Sequence, residues 1–187
     1  MSDTTSSSSN VKRAARHELN FGTAWDYAPA PESAKVTIEP RYGHFINGRF
    51  TKPGKTFPTI NPATEETLSE VSLGTARDVG RAVDAAREAL PKWMRLKPTE
   101  RAKYIFRIAR RVQERARELA ILETKDGGKP IKESRDVDIP LVAQHFFYHA
   151  GWADKLHYAF PGYGRGEVQP VGVCGQIIPW NFPLLMA

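Results

Sequence analysis

The stretch VGVCGQIIPWNFP, residues 171–183, gives the clearest indication of the fold class in this sequence. Positions 171–178 form a short apolar run with β-branched residues, which is typical of a strand buried on both faces of a parallel sheet. The next five residues, 179–183, form the Asn loop. Pro179 and Pro183 restrict the backbone of this loop. In a doubly wound α/β sheet, a loop of this kind places side chains where ligands bind, beyond the carboxyl ends of the strands.

Asn181 lies at the centre of the Asn loop, where both prolines limit its movement. An amide NH2 held in this way suits an oxyanion hole, because such a hole needs its donors in place before charge develops on a substrate oxygen. The alternative is that Asn181 caps a helix that follows the loop. Taken alone, the stretch favours the cap.

Composition limits the classes of protein to which the chain can belong. Its 187 residues, 41% of them hydrophobic, can bury one sizeable core and carry a tail. The single cysteine, Cys174, excludes an internal disulfide framework and a multi-cysteine metal cluster, which indicates a reducing compartment. No apolar run approaches the roughly 20 residues of a membrane span, and the N-terminus lacks a secretory signal. The sequence therefore predicts a cytoplasmic protein without a membrane partner.

The net charge of +6 raises the question of an acidic partner. Part of the positive charge lies at Lys12, Arg13 and Arg16, and the rest is concentrated in residues 101–117. Carboxylates such as Glu114 alternate with those arginines at helical spacing, which is typical of a solvated helix face. A nucleic-acid-binding stripe would normally lack such carboxylates, so we predict no nucleic-acid partner.

Turn and helix signals divide the rest of the chain. Residues 1–40 are rich in Ser, Thr, Ala and Pro without a sustained period, which predicts a mobile extension. From Arg41 onward, short apolar segments between turn residues predict strands, and Asn47-Gly48 is the strongest hairpin signal.

Three helices are predicted after these strands. Thr75 and Asp78 have capping-box spacing at the start of the first helix. Gly127-Gly128 supplies a left-handed cap for the second, and Pro140 fits the first turn of the third. The predicted bounds are 75–91, 98–128 and about 136–156.

Several segments resemble the aldehyde dehydrogenase superfamily, in the same order along the chain. They are FINGRF, TINPATEE, LETKDGGKPIKES, YHAGWADKL and PVGVCGQIIPWNFPLLM, and they span roughly residues 41–187. The resemblance implies an α/β fold class, namely the N-terminal part of an aldehyde dehydrogenase-like fold, incomplete in this chain. The implied divisions are an extension (1–40), a hairpin and helical part of the cofactor-binding domain (41–159), a bridging or oligomerisation strand (160–170) and the first strand and Asn loop of a Rossmann-like domain (171–187).

The resemblance also implies a reaction. In that superfamily a cysteine thiolate attacks an aldehyde, hydride passes to NAD or NADP, and a glutamate activates water to hydrolyse the thioester. Asn181 matches the oxyanion-hole asparagine, and Asp126 lies at a position that resembles a monovalent-cation site in some members. The positions that match cofactor contacts are Ile177, Ile178, Pro179 and Trp180.

The nucleophilic cysteine of the superfamily comes far downstream of the Asn loop. Cys174 precedes the loop and has no cationic neighbour in sequence, so we interpret it as a small buried hydrophobe. The nucleophile and the general base are thus expected outside this chain, which predicts an inactive N-terminal fragment of an enzyme that forms homo-oligomers when full length. The alternative is a stand-alone, non-catalytic product that binds a partner such as a full-length subunit.

Overall fold

Short strands precede a set of helices in the computed structural model, which describes residues 36–164 and 167–187. Residues 1–35 of the predicted extension (1–40) lie outside the described residues. The strands are β1 (Arg41–Tyr42), β2 (Phe45–Ile46), β3 (Arg49–Phe50), β4 (Thr56–Ile60) and β5 (Thr67–Ser72). The helices are α1 (Ala76–Arg95), α2 (Pro98–Glu114), α3 (Ala116–Gly127), α4 (Ile131–Glu133), α5 (Ile139–Trp152) and α6 (Leu156–Ala159), with a π-helical turn at Ser134–Asp138.

The hairpin predicted at Asn47-Gly48 is confirmed. Asn47 has φ 52° and Gly48 has φ 75°, so both central residues take the left-handed conformation that a type I′ turn requires. The turn pairs β2 with β3 in antiparallel register, and the rings of Phe45 and Phe50 meet edge to face at 5.1 Å. A second sheet has the order β1-β5-β4, in which β5 pairs parallel with β1 and antiparallel with β4.

Helix α1 begins as predicted but ends later. The capping box is present: Asp78 N donates to Thr75 Oγ1 at 3.3 Å, and Thr75 N donates to Asp78 Oδ2 at 3.0 Å. The predicted end near Pro91 is wrong, because α1 continues to Arg95 with the proline inside it. Proline removes one backbone donor without preventing helical backbone after it. The last turn also packs on α2 through the rings of Trp93 and Tyr104, whose centroids are 5.9 Å apart.

The second predicted helix is two helices, because the backbone breaks at Arg115 with φ −108° and ψ 14°. The Arg115 guanidinium bridges the break by donating to both oxygens of Glu118, at 2.8 and 2.6 Å. The break allows α2 to lie along α5 while α3 contacts the π-helical turn. The glycine cap is confirmed, since Gly128 has φ 72° and its N–H donates to Thr124 O at 3.0 Å.

The third predicted helix corresponds to the π-helical turn followed by α5 and, after a turn, α6, with Pro140 at the start of α5 as expected. The core lies between α2, α3 and α5. Its buried members are Val112, Ala120, Ile139, Val142 and Ala143. Among residues 36–164 and 167–187, the structure contains no helix with the length and hydrophobicity of a membrane span.

The strands predicted for 160–170 and 171–178 are not formed, and this part of the prediction is wrong for this structure. The described residues from 160 onward contain only turns and irregular backbone. Val171 is 95% exposed, and Cys174, expected to be buried, is exposed. A parallel strand needs neighbours on its edges and cover on both faces. The described strands pair with one another instead, so the mixed α/β class is confirmed without these two strands.

Candidate functional site

The Asn loop is docked onto the helical core by the residues that follow it. Leu184 and Leu185 are partly buried and pack against the cluster that contains Val112 and Ile139. Met186 N donates to Phe182 O at 3.1 Å and closes a turn. The loop is therefore held at its C-terminal side, although the residues before it are exposed.

Asn181 lies at the mouth of a cleft of about 230 Å³. Its side chain is exposed and hydrogen-bonds to no residue in the described part of the chain. Residues 182–187 form turns, and the described residues show no backbone N–H donating to the Asn181 side chain, so a helix-capping role for Asn181 stays a prediction. The amide is thus a free donor at a cleft. The other lining residues are Glu123, Gly127, Gly128, Lys129, Trp180 and Pro183.

The floor of the cleft is the glycine turn that ends α3. A Cβ built on Gly127 would lie 4.0 Å from Trp180 O, so the Asn loop passes close to this turn. A Cβ built on Gly128 would lie 2.7 Å from Cγ of Pro62, which leaves no room for a side chain. The left-handed Gly128 therefore lets the turn lie between the β4–β5 connection and the Asn loop.

Three charged side chains lie beneath the loop and form the Lys129 cluster, consisting of Glu123, Lys129 and Asp138. The Lys129 side chain is 14% exposed, and its Nζ donates a hydrogen bond to Asp138 Oδ2. Glu123 Oε1 lies 3.4 Å from the same Nζ, and the Glu123 side chain is only 5% exposed. The ammonium also faces the ring of Phe182, with Nζ 3.9 Å from the ring centroid. The cluster thus joins α3, the π-helical turn and the Asn loop.

The surroundings of the cluster shift two protonation equilibria. The pKa of Glu123 is raised from 4.5 to about 7. Burial is the largest cause, and the hydrogen bond and negative charge of Asp138 also raise the pKa, while Lys129 lowers it. Burial works against the charged form of Lys129, but the hydrogen bond and charge of Asp138, together with Glu123, outweigh it and raise the pKa of Lys129. Glu123 Oε1 is buried without a hydrogen bond, because its contact with Lys129 lacks hydrogen-bonding geometry.

The predicted cofactor residues precede Asn181 on irregular, exposed backbone. Ile177 is fully exposed and Trp180 is 84% exposed, so both offer apolar side chains to a ligand. Trp180 also lines the cleft beside Asn181, whereas Ile177, Ile178 and Pro179 do not. An exposed apolar strip with accessible backbone amides can contact the face of a flat ring and hydrogen-bond its polar edge.

Asp126 is exposed and lines a different cleft, of about 430 Å³. Glu123 and Pro183 line both this cleft and the 230 Å³ cleft, whereas Asp126 lines only the larger one. The second cleft is mainly apolar and includes Tyr42, Leu119 and Leu122. Within residues 36–164 and 167–187, no three His, Cys, Asp or Glu side chains are grouped so that they could hold a metal ion. The structure therefore does not bring Asp126 together with Asn181.

Sequence reasoning missed the Lys129 cluster. Glu123 and Lys129 lie in LETKDGGKP, where they look like two more charges at the exposed end of a helix. The one available signal was that Asp138 precedes the apolar stretch IPLVA, where a charge is unusual without a partner. The pairing of Lys129 with Asp138 depends on the π-helical turn, and the periodicity of the sequence does not predict that turn.

Comparisons with known proteins agree with the resemblance. The model of the aldehyde dehydrogenase family matches residues 50–187. Aldehyde dehydrogenase family 2 member B4, mitochondrial, of Arabidopsis thaliana is 44% identical over 176 residues, which is 89% of this chain and 32% of the relative. Benzaldehyde dehydrogenase, mitochondrial, of Antirrhinum majus is 43% identical over 181 residues, which is 91% of this chain and 34% of the relative.

A solved structure described as the NAD+ complex of aldehyde dehydrogenase from Bacillus cereus superposes with a TM-score of 0.70 at 36% identity, covering 82% of this chain and 35% of that one. The chain thus spans about a third of the length of the relatives it matches. Because the family match covers residues 50–187 and includes the Asn loop, the glycine turn and the Lys129 cluster, the chain belongs to the aldehyde dehydrogenase family.

Proposed function

We propose that this chain supplies the N-terminal part of an NAD(P)-dependent aldehyde dehydrogenase, which oxidises an aldehyde to a carboxylic acid, and that Asn181 is its oxyanion donor. The observation that carries the proposal is the free amide of Asn181 at the mouth of the 230 Å³ cleft. Membership of the aldehyde dehydrogenase family gives that donor a reaction to serve.

The role of Asn181 follows from where charge develops. When a thiolate attacks the aldehyde carbon, a C–S bond forms and the carbonyl electron pair moves onto oxygen. An amide NH2 already aimed at that oxygen stabilises the alkoxide without reorganising. Loss of hydride then re-forms the C=O bond as a thioester, which water cleaves to the acid. We place the nucleophilic cysteine and the general base outside this chain. Cys174, its single cysteine, precedes the Asn loop, whereas the family's nucleophile follows it.

The residues proposed to hold the cofactor are Ile177, Ile178, Pro179 and Trp180. The exposed apolar side chains of Ile177 and Trp180 fit a nicotinamide and its ribose. Structures described as NAD+ or nicotinamide adenine dinucleotide complexes among the structural relatives support NAD(P) in this role. When bound, NAD(P) would accept the hydride from the substrate.

The remaining assignments complete the proposal. The substrate is a small-molecule aldehyde, the full-length protein forms homo-oligomers, and the isolated 187-residue chain is inactive. Asp126 remains a candidate ligand for a monovalent cation. We keep the cytoplasm as the compartment, and because two relatives are named as mitochondrial, fractionation of the source cells is the test.

One observation favours the second candidate, a non-catalytic product that binds a partner such as a full-length subunit. Val171, Ile177 and Trp180 are largely exposed at the segment before the Asn loop, and exposed apolar side chains that form a patch mark interaction sites. A subunit that covered this segment would remove it from water.

The test begins with the protein from its own cells, captured with an antibody against residues 1–40, weighed intact and assayed for NAD(P)-dependent aldehyde oxidation. A mass above 21.0 kDa with activity supports the dehydrogenase, whereas 21.0 kDa without activity supports the binding product. In the active form, Asn181→Ala should lower kcat by about 10²- to 10³-fold. The matched control is Gln176→Ala, which removes an exposed amide five positions earlier, and an equal loss in both variants would reject the oxyanion role.

A further inference from the structure

The contact between Lys129 and Phe182 links the buried charges to the residue next to Asn181. The ammonium faces the ring at 3.9 Å, well within the distance at which a cation is attracted by an aromatic face. The side chain of Lys129 is largely removed from water, so the attraction is screened less than on the surface. The contact therefore holds Phe182, and with it the Asn loop, against Lys129.

The direction of this ammonium is fixed from the other side. Asp138 accepts a hydrogen bond from Nζ, and Glu123 Oε1 lies 3.4 Å away. Asp138 itself is buried at the end of the π-helical turn, where its backbone cannot move independently of α5. Lys129 thus cannot swing toward water without leaving Asp138 buried and unpaired, which is costly.

The ring of Phe182 in turn limits Asn181. Pro183 restricts the backbone of Phe182, and the bond from Met186 N to Phe182 O holds its carbonyl at 3.1 Å. Because Asn181 and Phe182 share one peptide unit, fixing the ring and carbonyl of Phe182 leaves few directions for the Asn181 side chain.

We propose that Lys129 is a positioning residue for Asn181: its ammonium, held by Glu123 and Asp138, fixes the Phe182 ring and so aims the Asn181 amide over the cleft. The catalytic consequence rests on the proposed function, whereas the placement of the loop can be measured without any activity. A purely structural ion pair would stabilise α3 and the π-helical turn but would leave the order of the Asn loop unchanged.

The experiment compares Lys129→Met and Lys129→Arg with the matched control Lys132→Met, an exposed lysine three residues later. The protein, as its cells make it, is labelled with fluorotryptophan. The ¹⁹F resonance of Trp180, next to Asn181, is assigned with Trp180→Phe. We expect the resonance to shift or broaden in Lys129→Met, to stay near its wild-type position in Lys129→Arg and to be unaffected in the control. In the active form, kcat should fall by about 10- to 100-fold in Lys129→Met with little change in KM.

Phe182→Leu provides the second route, because it removes the ring while leaving the ion pairs in place, should Lys129→Met fail to fold. It should alter the Trp180 resonance in the same way. A Trp180 resonance identical to wild type in Phe182→Leu, or in folded Lys129→Met, would overturn the inference. Should Asn181→Ala leave aldehyde oxidation intact, the proposed function fails, yet the Trp180 resonance still decides whether Lys129 orders the loop.

Discussion

Single residues explain why the glycine turn can lie under the Asn loop. Gly128 combines a φ of 72° with a position at which any Cβ would meet Pro62 at 2.7 Å. Both conditions exclude other residues, because the left-handed region is costly for a side chain and the neighbour is a rigid ring. This one position therefore couples the end of α3 to the β4–β5 connection and to the floor of the cleft.

Gly128→Ala should destabilise this turn by roughly 1–3 kcal/mol, from left-handed strain together with the clash. Protection of the α3 amides in hydrogen exchange measures the effect. The control is Gly80→Ala, in the second turn of α1, where a Cβ would meet nothing within 4 Å. That substitution should leave α1 unchanged or stabilise it by up to about 1 kcal/mol. Equal protection of α3 in Gly128→Ala and wild type would contradict the reasoning.

Glu123 gives the turn a dependence on pH. Its folded pKa of about 7 lies above the value of 4.5 for an unperturbed glutamate, so the folded chain binds this proton more tightly. The contribution to stability is therefore greatest below pH 4.5, falls as pH rises from 4.5 to about 7, and is constant above that. Glu123→Gln cannot ionise, so it should abolish this slope and protect α3 by roughly 1–3 kcal/mol more than wild type at pH 8.

Hydrogen exchange of the α3 amides at pH 5 and pH 8, corrected for intrinsic rates, measures this difference. Glu133→Gln is the matched control, because it removes an exposed carboxylate from α4 and should keep the wild-type slope. A slope that persists in Glu123→Gln would show that another group is responsible.

Individual elements were predictable where one local rule was sufficient. The Asn47-Gly48 hairpin, the Thr75 capping box and the Gly128 cap each depend on a few adjacent residues, and all three are formed. The break at Arg115 and the continuation past Pro91 depend on how helices pack against one another, which periodicity does not contain. The Lys129 cluster depends on the π-helical turn in the same way. The strands of residues 160–178 were predicted from composition, but a strand also needs partners.

Helix α1 is a suitable place to measure the contribution of the capping box, because core packing contributes little there. None of its side chains is fully buried, so its first turn depends on local bonds more than on the core. Thr75→Ala should cost about 1 kcal/mol, seen as faster hydrogen exchange in the first two turns of α1. The hydrogen bond from Thr75 lowers the pKa of Asp78, so that pKa should rise in the variant. Thr99→Ala, in the first turn of α2, is the control and should change neither quantity.

At the scale of the whole chain, the exposed apolar surface is the feature that separates this structure from an ordinary soluble domain. It includes Val79 on α1 and Phe106 on α2, and it is greatest before the Asn loop, at Val171 and Ile177. These residues lie within the family match, and the relatives are about three times as long as this chain. Apolar surface left in water favours association over a unique monomer.

The purified 187-residue chain should therefore bind a hydrophobic dye, associate as its concentration rises and unfold over a broad range of denaturant. Ile177→Asp should reduce dye binding and association more than Val79→Asp does, because Ile177 is fully exposed while Val79 is 62% exposed. Dye fluorescence and sedimentation velocity across a concentration series measure both effects. A monomer that binds no dye and unfolds in one sharp transition would mean that these 187 residues cover their own apolar faces in solution, and that the segment before the Asn loop folds back onto the helices.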